Sequence, residues 1–332
     1  MTPLRRCFIG LLAGVVLLIG ACGTQGSPAP SRVVGTPAAS GVESSPAAGW
    51  TRRAPAPLAL TEVAVAEHEG RIWVAGGLDA GGQATDRVSV FDPSTDTWVG
   101  GPSLPEPIHH SALVSDGDFL WLIGGYVGNA FDRPTATVLQ LQDNAWVEHF
   151  ALPEARGAGA AAWDGEGRIV YAGGVGPGGA SPVLFGQHDH GWEELGRLFA
   201  PREHLAATSD GAGAVVILGG RRGGLAGNVA TVEVFTDGEV RRGPDLPTAR
   251  GGVAAFYWPS LGACLVGGES VDGTNAQVEC VTADGTQARL PDLQSPRHGL
   301  GAAVVDGTLY VVLGGPEPGL FVSDTVEALE LP

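Results

Sequence analysis

The sequence predicts an all-β protein, a six-bladed β-propeller. Three observations carry that prediction. Six short apolar strands each run into a glycine pair, at 76–77, 124–125, 173–174, 219–220, 267–268 and 314–315, with spacings of 46 to 49 residues. A fixed period of this size is the mark of a repeat architecture. Within each period, short Val/Ile/Leu/Trp runs alternate with Gly, Asp and Pro turns, the pattern of a four-stranded antiparallel sheet. The two ends of the repeat region are also incomplete in complementary ways: Trp50 heads a fourth strand with no third strand before it, and Thr325–Leu331 is a third strand with no fourth after it.

From the N-terminus, Arg5 and Arg6 precede an apolar run from Cys7 to Gly20. At roughly 14 residues this run is short of the ~20 that a spanning helix needs, so residues 1–21 read as a signal peptide. Ile19-Gly20-Ala21-Cys22 resembles a bacterial lipobox, which implies that Cys22 receives lipid and becomes the mature N-terminus. Residues 22–48 are rich in Gly, Ser, Pro and Ala and lack periodicity, the composition of a flexible tether with a reach of roughly 30 Å. The expected location is outside the cytoplasm, lipid-anchored to the outer side of the cell membrane.

In the first full unit, the strand beginning near Leu60 turns at His68-Glu69-Gly70 into Arg71–Ala75 and its glycine pair. A loop leads to the alternating strand Arg87–Asp92, and a turn at Pro93–Asp96 leads to a fourth strand headed by Trp98. One such sheet cannot bury both of its faces, but six packed around an axis can. Glycine pairs suit the crowded strand ends, where backbones approach closely. A phosphate-binding role for them is disfavoured, since no helix N-terminus follows. Trp146 and Trp192 mark the next fourth strands, and the segment Gly49–Ala54 is expected to close the last blade and leave no free edge. The propeller then occupies 49–332 as one domain, expected to be a monomer.

The glycine pairs, Trp50, Trp98, Trp146 and Trp192, the aromatic residues Trp73 and Trp121, and the turn Asp92–Trp98 resemble the kelch repeat over 49–332, with departures at Arg241 and Ala288, where tryptophan is expected. The resemblance extends to galactose oxidase-like propellers of the kelch type and implies blades whose longer loops emerge on one face.

The net charge of −17, with 19 basic residues that are all Arg, argues against nucleic acid as a partner. At the entry to the first strand of successive blades stand Arg156, Arg202, Arg250 and Arg297, with Leu60 and Ile108 at the same position in blades 1 and 2. His109, His110, Glu203, His204 and His298 sit beside them, and Arg221 and Arg222 follow the glycine pair of blade 4. Arginine forks match carboxylate or phosphate, so these residues, with Tyr126 on the same loop face, are the expected site for an anionic ligand. The competing reading is that they pair with loop carbonyls or with acids such as Glu269.

Cys264 and Cys280 lie on neighbouring strands and are expected to form a disulfide, permitted in an exported protein. His188-Asp189-His190 lacks a third clustered ligand and reads as a solvated turn, so no metal and no cofactor are expected. No nucleophile motif is present. The sequence therefore favours a binding module that recognises a protein, glycan or anionic ligand. The alternative is an enzyme on a kelch propeller. It could resemble the bacterial sialic acid epimerases, which act on an acidic sugar, or, less favoured, the copper oxidases, which hold copper with Tyr and His beside a Tyr–Cys crosslink.

Overall fold

The computed structural model describes residues 49–332, so the leader at 1–21, Cys22 and the tether at 22–48 lie outside the described residues. Six four-stranded antiparallel sheets follow one another along the chain. Blade 1 runs Ala64–His68, Arg71–Ala75, Val88–Asp92 and Thr97–Gly100. Blades 2 to 5 repeat that order, with innermost strands Ala112–Ser115, Ala160–Trp163, Ala206–Ser209 and Ala254–Trp258. Blade 6 holds Gly301–Val305, Thr308–Val312 and Val326–Glu330. Its fourth strand is Thr51–Arg52, paired in register as Thr51 with Ala328 and Arg52 with Glu327. The expected closure by the N-terminal segment is thus present. Among the described residues no helix is long and apolar enough to cross a membrane.

Each blade is apolar on both faces, so the core is divided into six packets, one at each interface between neighbours. Between blades 1 and 2, for example, Ala75, Val88, Leu104, Leu113, Leu120 and Leu139 pack together. The tryptophans stitch these interfaces at their outer rims. The indole N–H of Trp98 donates to the Ala54 carbonyl at 3.0 Å, that of Trp146 to Pro102 at 2.9 Å, that of Trp192 to Phe150 at 2.9 Å and that of Trp50 to Pro291 at 2.8 Å. The two blades that depart from the repeat keep the stitch by other means. In blade 5 the Gln287 amide donates to the Asp245 carbonyl at 3.1 Å, and in blade 4 the Arg242 guanidinium lies 4.6 Å above the Phe199 ring.

The glycine pairs join each blade to the next. The N–H of the second glycine donates to the carbonyl at the entry of the following blade: Gly77 to Ile108, Gly125 to Arg156, Gly174 to Arg202, Gly220 to Arg250 and Gly268 to Arg297. At Gly173 (φ 66°) a Cβ would stand 2.7 Å from the Arg202 carbonyl oxygen, so both the backbone angle and the close approach demand glycine there. In blade 6 the pair sits one residue earlier than the sequence suggested. Gly314 makes the equivalent bond, to Leu60, and Leu313 takes the positive φ of 60° that a glycine takes elsewhere. Gly315 instead pairs with His298.

Candidate functional site

The four repeat arginines turn inward, away from solvent. Arg156, Arg202, Arg250 and Arg297 are at most 2% exposed. Arg250 donates to the carbonyls of Gly267 at 2.7 Å and Leu265 at 3.1 Å and to Glu279 Oε2 at 2.5 Å. Arg297 donates to the carbonyls of Leu313 at 3.0 Å and Thr325 at 2.8 Å and to Glu327 Oε2 at 2.9 Å. Arg202 pairs with Glu233 at 3.2 Å, and Arg156 with Glu154 at 2.8 Å and with Ser181 at 2.8 Å. Each guanidinium clamps the end of the second strand or an acid of its own blade. Burial pulls Arg297 down to about 10, partly offset by Glu327, which leaves it a cation at neutral pH. The expectation that these four present an anion site is therefore corrected: all four guanidinium groups are buried inside the blades, where Arg250 and Arg297 use every nitrogen and Arg156 and Arg202 use theirs apart from Nε, which has no partner.

Two residues beyond each clamp position lies the true rim of the axial channel. Glu62, His110, Ala158, His204, Gly252 and Gly299 occupy equivalent places in the six blades, all with φ between 51° and 66°. Their backbones form a closed belt. The N–H of His110 donates to the Glu62 carbonyl at 3.1 Å, Ala158 to His110 at 3.0 Å, His204 to Ala158 at 2.9 Å, Gly252 to His204 at 2.9 Å and Gly299 to Gly252 at 2.9 Å, and Val63 closes it onto Gly299 at 3.4 Å. The belt encloses a cavity of about 90 Å³, and below it the innermost strands, rich in alanine, line the channel. Glycine is the least costly residue at such backbone angles, and holding another residue there costs of order 1–3 kcal/mol. Blades 1 to 4 nonetheless carry Glu, His, Ala and His.

Those side chains form a second, polar circuit above the belt. His110 Nε2 lies 3.0 Å from Glu62 Oε2 and 3.1 Å from His204 Nε2. His204 Nδ1 contacts the Glu203 carboxylate, whose other oxygen accepts from Arg221 Nε at 3.1 Å. Arg221 reaches Glu269 Oε1 at 2.7 Å, Glu269 lies 3.8 Å from His298 Nδ1, and His298 Nδ1 returns to Glu62 Oε1 at 3.3 Å. His109 backs the circuit, its Nδ1 2.6 Å from His110 Nδ1 and its ring stacked 5.4 Å from Tyr126. Phe131, half exposed, stands edge-on 5.2 Å from the His110 ring.

The electrostatics follow from this packing. Burial works against ionisation of Glu62, but the charge and hydrogen bond of His110 and a contact from His298 outweigh it and hold its carboxyl well below the usual range. Burial, then the charges of His110 and Arg221, push His204 well below its ordinary value, so it is neutral at pH 7. Burial pushes His109 down to about 4. Burial also opposes the charge of His298, but Glu62 and Glu269 prevail and raise it. Three carboxylates thus face one arginine around the mouth.

A kelch motif model matches residues 59–105. The kelch-like protein terF of Aspergillus terreus is 28% identical over 295 residues, 84% of this chain and 55% of its own length. Beta-scruin of Limulus polyphemus is 34% identical over 74 residues, 22% of this chain and 8% of its own. The chain therefore spans about half the length, or less, of the curated relatives it matches. The structure of YjhT superposes with a TM-score of 0.68 at 12% identity, covering 83% of this chain and 96% of that one. The chain carries a kelch motif and has the fold of a six-bladed kelch-type propeller.

Within this kelch frame, the expected site residues separate into two groups. His298, His109, Tyr126 and Arg221 surround the mouth, and Arg222 is exposed just beyond it, while the four clamp arginines lie inside the blades. Cys264 and Cys280 are directly opposite on neighbouring strands of blade 5 and are bonded to each other. That leaves neither of them for a crosslink to a tyrosine such as Tyr126, the feature that the copper oxidase resemblance requires. His188 and His190 are exposed at a turn of blade 3. Sequence reasoning missed Glu62 as a partner of His110 and His204. The available signal was the constant offset of two residues from the clamp position, which aligns all six rim residues.

Proposed function

We propose that this kelch propeller is a binding module, exported and tethered through Cys22, whose axial mouth receives a cationic or hydrogen-bond-donating group. The observation that carries this reading is the placement of Glu62, His110 and His204 at three strained rim positions, where glycine would serve the fold alone. The cavity of about 90 Å³ is well below the 300–1,000 Å³ of pockets that swallow drug-sized ligands. The mouth therefore takes an ion or the tip of a larger ligand. A protein or glycan would supply that tip and rest on the surrounding loops, where Phe131, Val271, Leu320 and Phe321 are exposed.

A thermal-shift screen tests this reading. Amino sugars, polyamines and basic peptides should raise the melting temperature of the wild type, and Glu62→Gln should remove the shift. Shifts produced only by acidic sugars and indifferent to Glu62→Gln would sink it. The second reading, an enzyme acting on an acidic sugar, is favoured by one arrangement: His110 and Glu62 lie 3.0 Å apart at the mouth, within reach for proton transfer, and Arg222 is exposed nearby. Turnover of such a sugar that His110→Gln abolishes would establish it.

A further inference from the structure

We propose that the mouth binds one first-row divalent metal ion of the zinc class, held by His110 Nε2, His204 Nε2 and Glu62 Oε2. This deepens the reading of the mouth as a site for cations and rests on it. These three donor atoms lie within 4.8 Å of one another. Zinc sites with an open position use three protein ligands of this kind, at Zn–N about 2.0–2.1 Å. Ligands at that distance in a tetrahedron stand about 3.3 Å apart. The His110–Glu62 and His110–His204 separations are 3.0 and 3.1 Å, so two edges of the tetrahedron are already set. Only the Glu62–His204 edge has to draw in.

Each of the three ligands also has a partner that fixes its orientation, the arrangement that metal sites require of their surroundings. The Glu203 carboxylate sits on His204 Nδ1, and Arg221 pins that carboxylate. With Nδ1–H donated to Glu203, His204 presents a lone pair at Nε2. His109 Nδ1 sits 2.6 Å from His110 Nδ1, and in the tautomer that carries the proton on His110 Nδ1 this bond leaves the His110 Nε2 lone pair facing Glu62 and His204. His298 Nδ1 sits 3.3 Å from Glu62 Oε1 and leaves Oε2 for the ion. On binding, the ion displaces to solvent whatever proton His110 Nε2 shares with Glu62. Three ligands leave a fourth position facing the cavity, where water or a donor atom of a ligand would complete the shell. Imidazole and carboxylate donors suit zinc, cobalt and nickel better than calcium or magnesium.

Backbone geometry supports the same assignment. The belt bonds His110 and His204 to the two sides of Ala158, and the two imidazoles meet at their Nε2 atoms. The fold thus holds the two rings nitrogen to nitrogen at 3.1 Å, a distance that one shared proton or one metal ion can bridge.

The test uses the whole chain, stripped with a chelator and dialysed. Calorimetric titration with zinc chloride should show one ion bound per chain, and Co²⁺ in its place should give the intense visible bands of a tetrahedral site. Both signals should vanish in His110→Gln and His204→Gln. The paired change His188→Gln/His190→Gln, at the exposed turn of blade 3, should leave them unchanged. Glu203→Gln, which keeps all three ligands, should weaken zinc binding by about 10–100-fold. That variant guards against misfolding, provided that its metal-free melting temperature matches the wild type. Absence of saturable zinc binding in the wild type overturns the proposal. So does binding that persists at one equivalent in His110→Gln and His204→Gln, which would place the ion elsewhere. If zinc fails to bind but Glu62→Gln still removes a thermal shift from an amino ligand, the metal is refuted and the reading of the mouth survives.

Discussion

Arg250→Ala separates a structural clamp from a ligand contact. Arg250 is wholly buried, and its guanidinium bonds Glu279 Oε2 at 2.5 Å and the carbonyls of Gly267, Leu265 and Thr248 at 2.7, 3.1 and 3.3 Å. Truncation leaves Glu279, 3% exposed, as a buried carboxylate whose remaining partner is the Thr248 hydroxyl at 2.8 Å. Removing one member of a buried ion pair costs about 3–5 kcal/mol. Orphaned carbonyls would each add about 1 kcal/mol where water cannot reach them. For a domain of this size each kcal/mol lowers the melting temperature by about 2 °C, so Arg250→Ala should fall by about 6–10 °C. The double variant Arg250→Met/Glu279→Leu removes both charges and fills the space, and should recover most of that loss. Differential scanning calorimetry reads all three proteins. A drop below about 2 °C in Arg250→Ala, together with loss of binding to any anionic ligand, would refute the clamp and restore the arginine-lined site.

Three further outcomes follow from the fold. Cys264 and Cys280 are 16 residues apart, so Cys264→Ala/Cys280→Ala should lose about 3 kcal/mol of loop-closure stabilisation and melt about 6 °C lower; an unchanged melting temperature would show that the bond adds nothing to the folded blade. Deleting residues 1–54 removes Trp50 and the strand Thr51–Arg52 and bares the edge Val326–Glu330, and size-exclusion chromatography should then show aggregates in place of one sharp peak. Gly173→Ala meets both a positive φ and the Arg202 carbonyl, whereas Gly211→Ala, with φ 71° and open space around it, meets only the first; chemical denaturation should show the larger loss at Gly173, and equal losses would refute the crowding argument.

The sequence by itself determined the repeat, because a propeller blade writes its turns and strand ends into local chemistry. Glycine pairs, indole positions and Asp-Gly turns recur with the blade, and complementary half-blades at 50–54 and 325–331 predict their own union. Even the exception at Leu313-Gly314 is only one residue out of step, because register there is set by the bond from Gly314 to Leu60 in the neighbouring blade. The direction in which a side chain points was not legible. Arg250 and His204 belong to the same repeated entry segment, yet a two-residue offset and a left-handed turn send one into the blade and the other over the axis. Glu62, His110 and His204 are separated by one and by two repeat periods, and no local spacing ties them together. Only closure of the ring brings them together, so tertiary structure alone decided that the rim is built from histidine and glutamate, with Arg221 beside them, rather than from the four entry arginines.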